Sequence, residues 1–182
     1  MARRIASSKL SREAIINATV EVLNTRQLTD WTVDLVAARA GCAKGLVLYH
    51  FQSKENLLAT AAGQVRETLS LRRINAVRGQ KGTAALDRLW EVLLTDVRSG
   101  AFGLWVGLVG HTSTRKAAAR SEADNQGLID GTALALETPR ESAALGLVPS
   151  ALDGFGLELL QGQPQADVRE RYDGFWLGVL SA

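Results

Sequence analysis

Three observations predict an all-α fold for this 182-residue chain. Apolar residues recur at the 3.6-residue spacing of helices through most of its length. No alternating run rich in Val, Ile and Thr stands out as a strand. Proline is confined to Pro139, Pro149 and Pro164, so few positions forbid a helix. We expect about nine helices: a head of three short ones over residues 1–53 and a helical body over 54–182.

Residues 1–9 read as a flexible basic arm. Helix 1 starts at a capping residue, Ser11, and puts Ala14, Ile15, Ala18, Val22 and Leu23 on one face. Helix 2 follows Thr32, another capping type, and buries Val33, Val36, Ala37 and Ala40. Gly41 then makes the turn, because glycine accepts positive φ without steric cost. A third helix covers about Ala43 to Tyr49, and a fourth runs from Ser53 towards Arg78 through Leu57, Leu58, Ala61, Val65 and Leu69.

Gly79 and Gly82 interrupt the chain before a fifth helix capped by Thr83, with Leu86, Leu89, Trp90, Leu93, Leu94 and Val97 inward. Residues 101–110 are apolar on all sides and should be buried. A long polar helix is expected over 113–137. Thr138, Pro139 and Glu141 form a helix start by capping and first-turn rules. Pro149 should kink that helix. A last helix over about 165–181 carries Val168, Tyr172, Phe175, Trp176 and Val179.

Composition bounds the function. The chain is 46% hydrophobic and 22% charged, ordinary for a soluble globular protein. One cysteine excludes an internal disulfide and suits a reducing compartment. No apolar run reaches the length of a membrane span, and no signal segment follows the basic start. A cytoplasmic protein without membrane contact is expected. Residues 1–54 hold eight bases and four acids, a charge of +4, against a net +2 for the whole chain. A basic head on a slightly acidic body is the weak footprint of a nucleic-acid binder. Neither a phosphate loop, a nucleophile elbow nor a paired-carboxylate motif is present, so no enzyme, cofactor or metal site is read.

The pair of short helices joined at Gly41 has the layout of a helix-turn-helix, in which the second helix enters the major groove of DNA. Ser11, Thr32-Val33, Ala37, Ala40-Gly41, Lys44-Gly45, Tyr49-His50-Phe51 and Lys54-Glu55 before Leu57-Leu58 resemble the TetR family of bacterial transcriptional regulators. The resemblance covers about residues 9–60. A fainter likeness, in Ala151–Leu160 and Tyr172–Trp176, points to the branch that includes choline-responsive repressors. The resemblance implies a homodimer with an N-terminal DNA-binding head and a C-terminal ligand-binding and dimerisation body. It implies repression at a palindromic double-stranded DNA operator, relieved by a small-molecule effector. The alternative is a small-molecule or partner-binding scaffold whose degenerate head no longer reads DNA specifically.

Lys44 and Lys54 can reach phosphates, the latter aided by helix N–H groups. Tyr49, His50 and Thr32 can hydrogen-bond to phosphate or sugar. Ala43, Gly45 and Leu46 complete the expected DNA face. The family often has serine at position 43, threonine at 46 and tyrosine at 48; Ala43, Leu46 and Leu48 depart from this. Loss of the serine cap should weaken the third helix by about 1 kcal/mol. Leu46 could still touch a thymine methyl.

In the body, Trp90, Phe102, Trp105, His111, Phe155 and Trp176 are candidates for an effector site, and aromatics of this kind cage quaternary ammonium groups. Core packing is the default reading of those aromatics. Gly154, Gly156, Tyr172 and Phe175 on the last two helices are candidates for the dimer interface. Cys42 reads as a small turn residue rather than a redox switch, since an unassisted cysteine is usually inert. His111 has no partner at metal spacing.

Overall fold

The computed structural model describes residues 2–26 and 28–181, with side chains from Arg12 onward. Ser11 lies inside the first helix rather than at its start, and the side chains of the basic arm lie outside the described residues. Eleven helices and no strand occur among the described residues: α1 (Ala2–Thr25), α2 (Val33–Ala40), α3 (Lys44–Phe51), α4 (Lys54–Val77), α5 (Thr83–Arg98), α6 (Ala101–Gly110), α7 (Arg115–Ala118), α8 (Glu122–Leu136), α9 (Ala143–Gly146), α10 (Val148–Leu160) and α11 (Gln165–Ser181). The fold is all-α, as expected. No single helix among them is long and apolar enough to cross a membrane.

The chain divides into two compact units. Unit 1 is Met1–Arg66 with Leu104–Ala119, and unit 2 is Glu67–Gly103 with Arg120–Ala182. Helices α4 and α6 each supply residues to both. In unit 1, α1, α2 and α3 pack on one another. Their buried side chains are Ile15, Ile16, Val22, Leu23, Trp31, Val33, Val36, Val47 and Phe51. In unit 2, α10 packs on α5, α8 and α11. Its core runs from Leu86, Leu89, Trp90 and Leu93 to Leu145, Leu152, Val168, Tyr172 and Trp176.

Several boundaries differ from the sequence expectation, each for a physical reason. The backbone of 2–9 belongs to α1 rather than to an arm; no glycine or proline interrupts that helix. Ala14 is exposed, and Ile16 and Thr19 take its place inside. The cap of α5 is Gly82 at φ 57°, with Thr83 already helical. The expected 113–137 helix breaks into α7 and α8. Ser121 opens α8 with a capping box to Asp124, each side chain bonding the other's backbone N–H.

Thr138 does not start a helix. Glu137 ends α8 in the left-handed region at φ 54°, and the Thr138 N–H donates to Ala133 O at 3.1 Å. That closes the end of α8. The proline rule applies one proline later: Pro149 sits in the first turn of α10, where its missing N–H costs nothing. It starts a helix rather than kinking one. In α6, Phe102, Leu104, Trp105 and Leu108 are buried, but Ala101, Gly103, Val106, Gly107 and Val109 are half-buried and Gly110 is exposed, so the segment is not covered on all sides.

Candidate nucleic-acid interface

The head is built from the α2 turn outward. Thr32 caps α2 by accepting the Leu35 N–H at 3.2 Å. At the other end Gly41 adopts φ 65° and ψ 35°. Its N–H donates to Ala38 O at 3.3 Å, and the Cys42 N–H to Ala37 O at 3.0 Å. This is the double closure of a Schellman turn, which places a glycine in the left-handed region. The chain then reverses into α3 through Ala43, which offers no side-chain cap.

Helix α3 turns Val47 and Phe51 inward, where both are buried. Tyr49, on the far side, is 78% exposed. Lys44, Gly45 and Leu48 are also exposed, while Leu46 and His50 are half-buried. Lys44 Nζ bonds Asp34 Oδ2 at 2.8 Å, with both side chains more than half exposed. An exposed pair of this kind is worth little, so the ammonium can exchange a carboxylate for a phosphate at small cost. The rings of Tyr49 and His50 meet edge to face at 5.3 Å. Nothing lies within 4 Å of where a Cβ on Gly45 would stand.

Lys54 has an additional structural role. Its Nζ donates to Trp31 O at 2.9 Å and lies 4.6 Å from the centre of the Trp31 ring. Ser53 Oγ accepts the Asn56 N–H at 3.0 Å and caps α4. Trp31, 1% exposed, was missed in the sequence reading. Its position immediately before the Thr32 cap is the signal: an apolar residue there stands at the staple position of a helix start, and the fourth helical residue, Val36, is buried as well. Cys42 is a free, half-buried thiol.

The candidate body residues separate. Trp105 and His111 fall in unit 1, and Trp90, Phe102, Phe155 and Trp176 in unit 2. Trp105 Nε1 donates to Ala118 O at 2.9 Å. His111 is exposed and its Nδ1 lies 3.0 Å from Ser113 Oγ. In unit 2, Trp90, Phe155, Tyr172, Phe175 and Trp176 form a continuous aromatic cluster with ring centres 5.1 to 6.0 Å apart. Arg169 caps it, 5.5 Å from the centres of Trp90 and Tyr172.

Two of the four expected interface residues are packed inside the subunit. Tyr172 is fully buried and its hydroxyl donates to Leu86 O at 2.6 Å; burial raises its pKa. A Cβ on Gly156 would stand 2.6 Å from the Phe102 ring. Gly154 is exposed and Phe175 half-buried.

A helix pair joined by a left-handed glycine and held on a third helix defines the class: a helix-turn-helix protein. Residues 15–61 match the family model described as bacterial regulatory proteins, tetR family. The HTH-type transcriptional regulator BetI of Cronobacter sakazakii is 28% identical over 176 residues, 88% of this chain and 85% of its own length. The alignment thus extends beyond the head into the body, where the fainter likeness lies. Among solved structures, a putative TetR-family regulator from Rhodococcus sp. superposes with a TM-score of 0.72 at 21% identity, covering 93% of this chain and 98% of that one. The multidrug binding protein EbrR, complexed with imidazole, superposes at 0.65 with 22% identity, covering 90% and 88%. Residues 15–61 thus form a TetR-family helix-turn-helix head.

Proposed function

We propose that this protein is a ligand-responsive repressor that binds a palindromic operator as a homodimer and leaves it when a small molecule occupies its body. The head is residues 1–53 and the body 54–182. The observation that carries the reading is the outer face of α3, which presents Lys44, Gly45, Tyr49 and His50 away from the core formed by Val47 and Phe51. Such a helix, fixed at its start by a tight turn, can enter a major groove. Thr32, Lys44, Tyr49, His50 and Lys54 hold phosphate or sugar, while Ala43, Gly45 and Leu46 lie against the groove. No catalytic step is assigned, and the protein acts in the cytoplasm.

The effector-binding part of the reading draws on likeness alone, since EbrR is a multidrug binding protein in name and was solved with imidazole. The dimer surface we propose is the outer face of α10 and α11. Gly154, Leu157, Gly174, Leu177 and Gly178 are exposed there, with Leu177 at 67%. Glycines in such a face let two helices approach closely, and the leucines supply apolar area.

Selection from a random double-stranded DNA pool tests the reading. A two-fold symmetric site with half-site centres about 34–36 Å apart is expected. Recovery of no enriched sequence, with and without candidate effectors, would overturn it in favour of a binding scaffold on a silent head.

A further inference from the structure

Two buried guanidinium groups of unit 2, on Arg73 and Arg120, share one carboxylate, that of Asp153. The buried Asp96 pairs instead with Arg72, whose side chain is 46% exposed. Arg72 Nη1 donates to Asp96 Oδ1 at 2.6 Å. Arg120 grips Asp153 with two parallel bonds, Nε to Oδ2 at 3.0 Å and Nη2 to Oδ1 at 2.7 Å. Its Nη1 also donates to Ser70 Oγ at 3.2 Å. Arg73 reaches the same Asp153 with Nη1 alone, at 2.7 Å to Oδ1.

Arg73 is 1% exposed, and its Nε and Nη2 are buried with no hydrogen-bond partner. Those two N–H groups form one edge of the guanidinium, the same edge with which Arg120 holds a carboxylate. An arginine edge of this kind matches the two oxygens of a carboxylate in distance and plane. A buried charged donor left unpaired is costly, and native chains rarely retain one without a use. The Phe102 ring centre lies 6.0 Å from the Arg73 guanidinium. The Asp153 side chain is 22% exposed, so the cluster is not sealed from solvent.

We propose that the Arg73 edge, backed by Arg120, anchors the effector, and that the effector is an organic carboxylate. This rests on the ligand-responsive reading above and narrows it to one chemical class. It also sets aside the quaternary ammonium suggested by the aromatic content. The aromatic cluster of unit 2 already carries a fixed cation, Arg169, which is held by Asp87 at 2.7 Å and Asp173 at 2.8 Å. Beside Phe102, the guanidiniums of Arg73 and Arg120 share the single carboxylate of Asp153, a local excess of positive charge that attracts an anion and repels a second cation.

Titration calorimetry on the full chain without DNA tests this. The probes are sodium benzoate, sodium acetate, sodium phosphate and tetramethylammonium chloride at one ionic strength. Benzoate or acetate should bind saturably. Arg73→Lys keeps the charge but loses the two-toothed edge, and should weaken binding at least tenfold. Asp153→Asn removes the carboxylate that competes for both guanidiniums, and should tighten benzoate several-fold. Structural damage would act in the opposite direction, so this variant carries the test even if Arg73→Lys fails to fold. Benzoate should also shift affinity for the selected operator.

Absence of saturable carboxylate binding, binding of phosphate or tetramethylammonium alone, or weaker benzoate binding in Asp153→Asn would overturn the proposal. So would benzoate binding that leaves operator affinity unchanged. An operator recovered from the DNA pool without carboxylate binding removes this inference and leaves the regulator reading standing. Failure to recover an operator removes the wider reading itself.

Discussion

Lys54 illustrates how one residue can serve both fold and site. The sequence assigns it to phosphate, and the geometry also ties it to the Trp31 carbonyl and ring. A hydrogen bond and a cation–π contact that are only partly exposed are worth about 1–2 kcal/mol together. Lys54→Ala should therefore lower unfolding stability by about that amount in urea melts, apart from any loss of DNA affinity. An unchanged midpoint would place Lys54 wholly outside the fold. Asp96 is a residue the hydrophobic pattern conceals, for it sits at 0% exposure on the inward stripe of α5. Burial pushes its carboxyl above the usual 3.8, against the opposing hydrogen bond from Arg72. A raised folded pKa means the native state binds more protons than the unfolded chain between 3.8 and the folded value. Its contribution to stability is then present at low pH and lost as pH rises through the folded pKa. Stability of the wild type relative to Asp96→Asn should fall from acid towards neutral pH. A difference that rises with pH would contradict the burial argument.

At the scale of elements, the turn between α2 and α3 controls the angle at which α3 is presented. Gly41 at φ 65° is where a side chain strains the backbone. Gly41→Ala should cost about 1–2 kcal/mol and weaken operator binding with it. Ala43→Ser should do the reverse, adding about 1 kcal/mol by supplying the missing cap of α3. Denaturant melts of both variants check the pair, and no gain from Ala43→Ser would mean the start of α3 is already satisfied. A side chain at 156 would strike the Phe102 ring, so Gly156→Ala should cost about 1–3 kcal/mol by overpacking.

The same scale shows what the sequence made legible. The α2–Gly41–α3 unit, the inner stripe of α5 and the last helix follow from period and punctuation, because local rules suffice there. The region from 113 to 149 did not follow. Thr138 and Pro139 satisfy helix-start rules, yet the Thr138 N–H closes α8. The start signal that prevailed, Ser121 with Asp124, was present in the sequence but hidden inside an assumed long helix. Of the site, the exposed face of α3 was readable from its spacing. The ionic cluster of Arg73, Arg120 and Asp153 was not, since its members lie up to 80 residues apart and meet only through tertiary packing.

At the scale of the whole molecule, a two-fold operator requires two heads, and so a dimer. The contact we propose is the outer face of α10 and α11. Leu177→Glu should shift the protein to monomer in sedimentation, because a charge in an apolar interface loses its solvation. A dimer that survives this change would move the contact elsewhere. The central claim, that α3 presents its outer face to DNA, is tested most directly by operator affinity of wild type and Lys44→Ala across a salt series. The exposed Lys44–Asp34 pair adds little to stability, so the variant should fold normally. It should bind more weakly at low salt, with a salt slope shallower by about one per head. Identical affinity and identical slope for the two proteins would contradict the account.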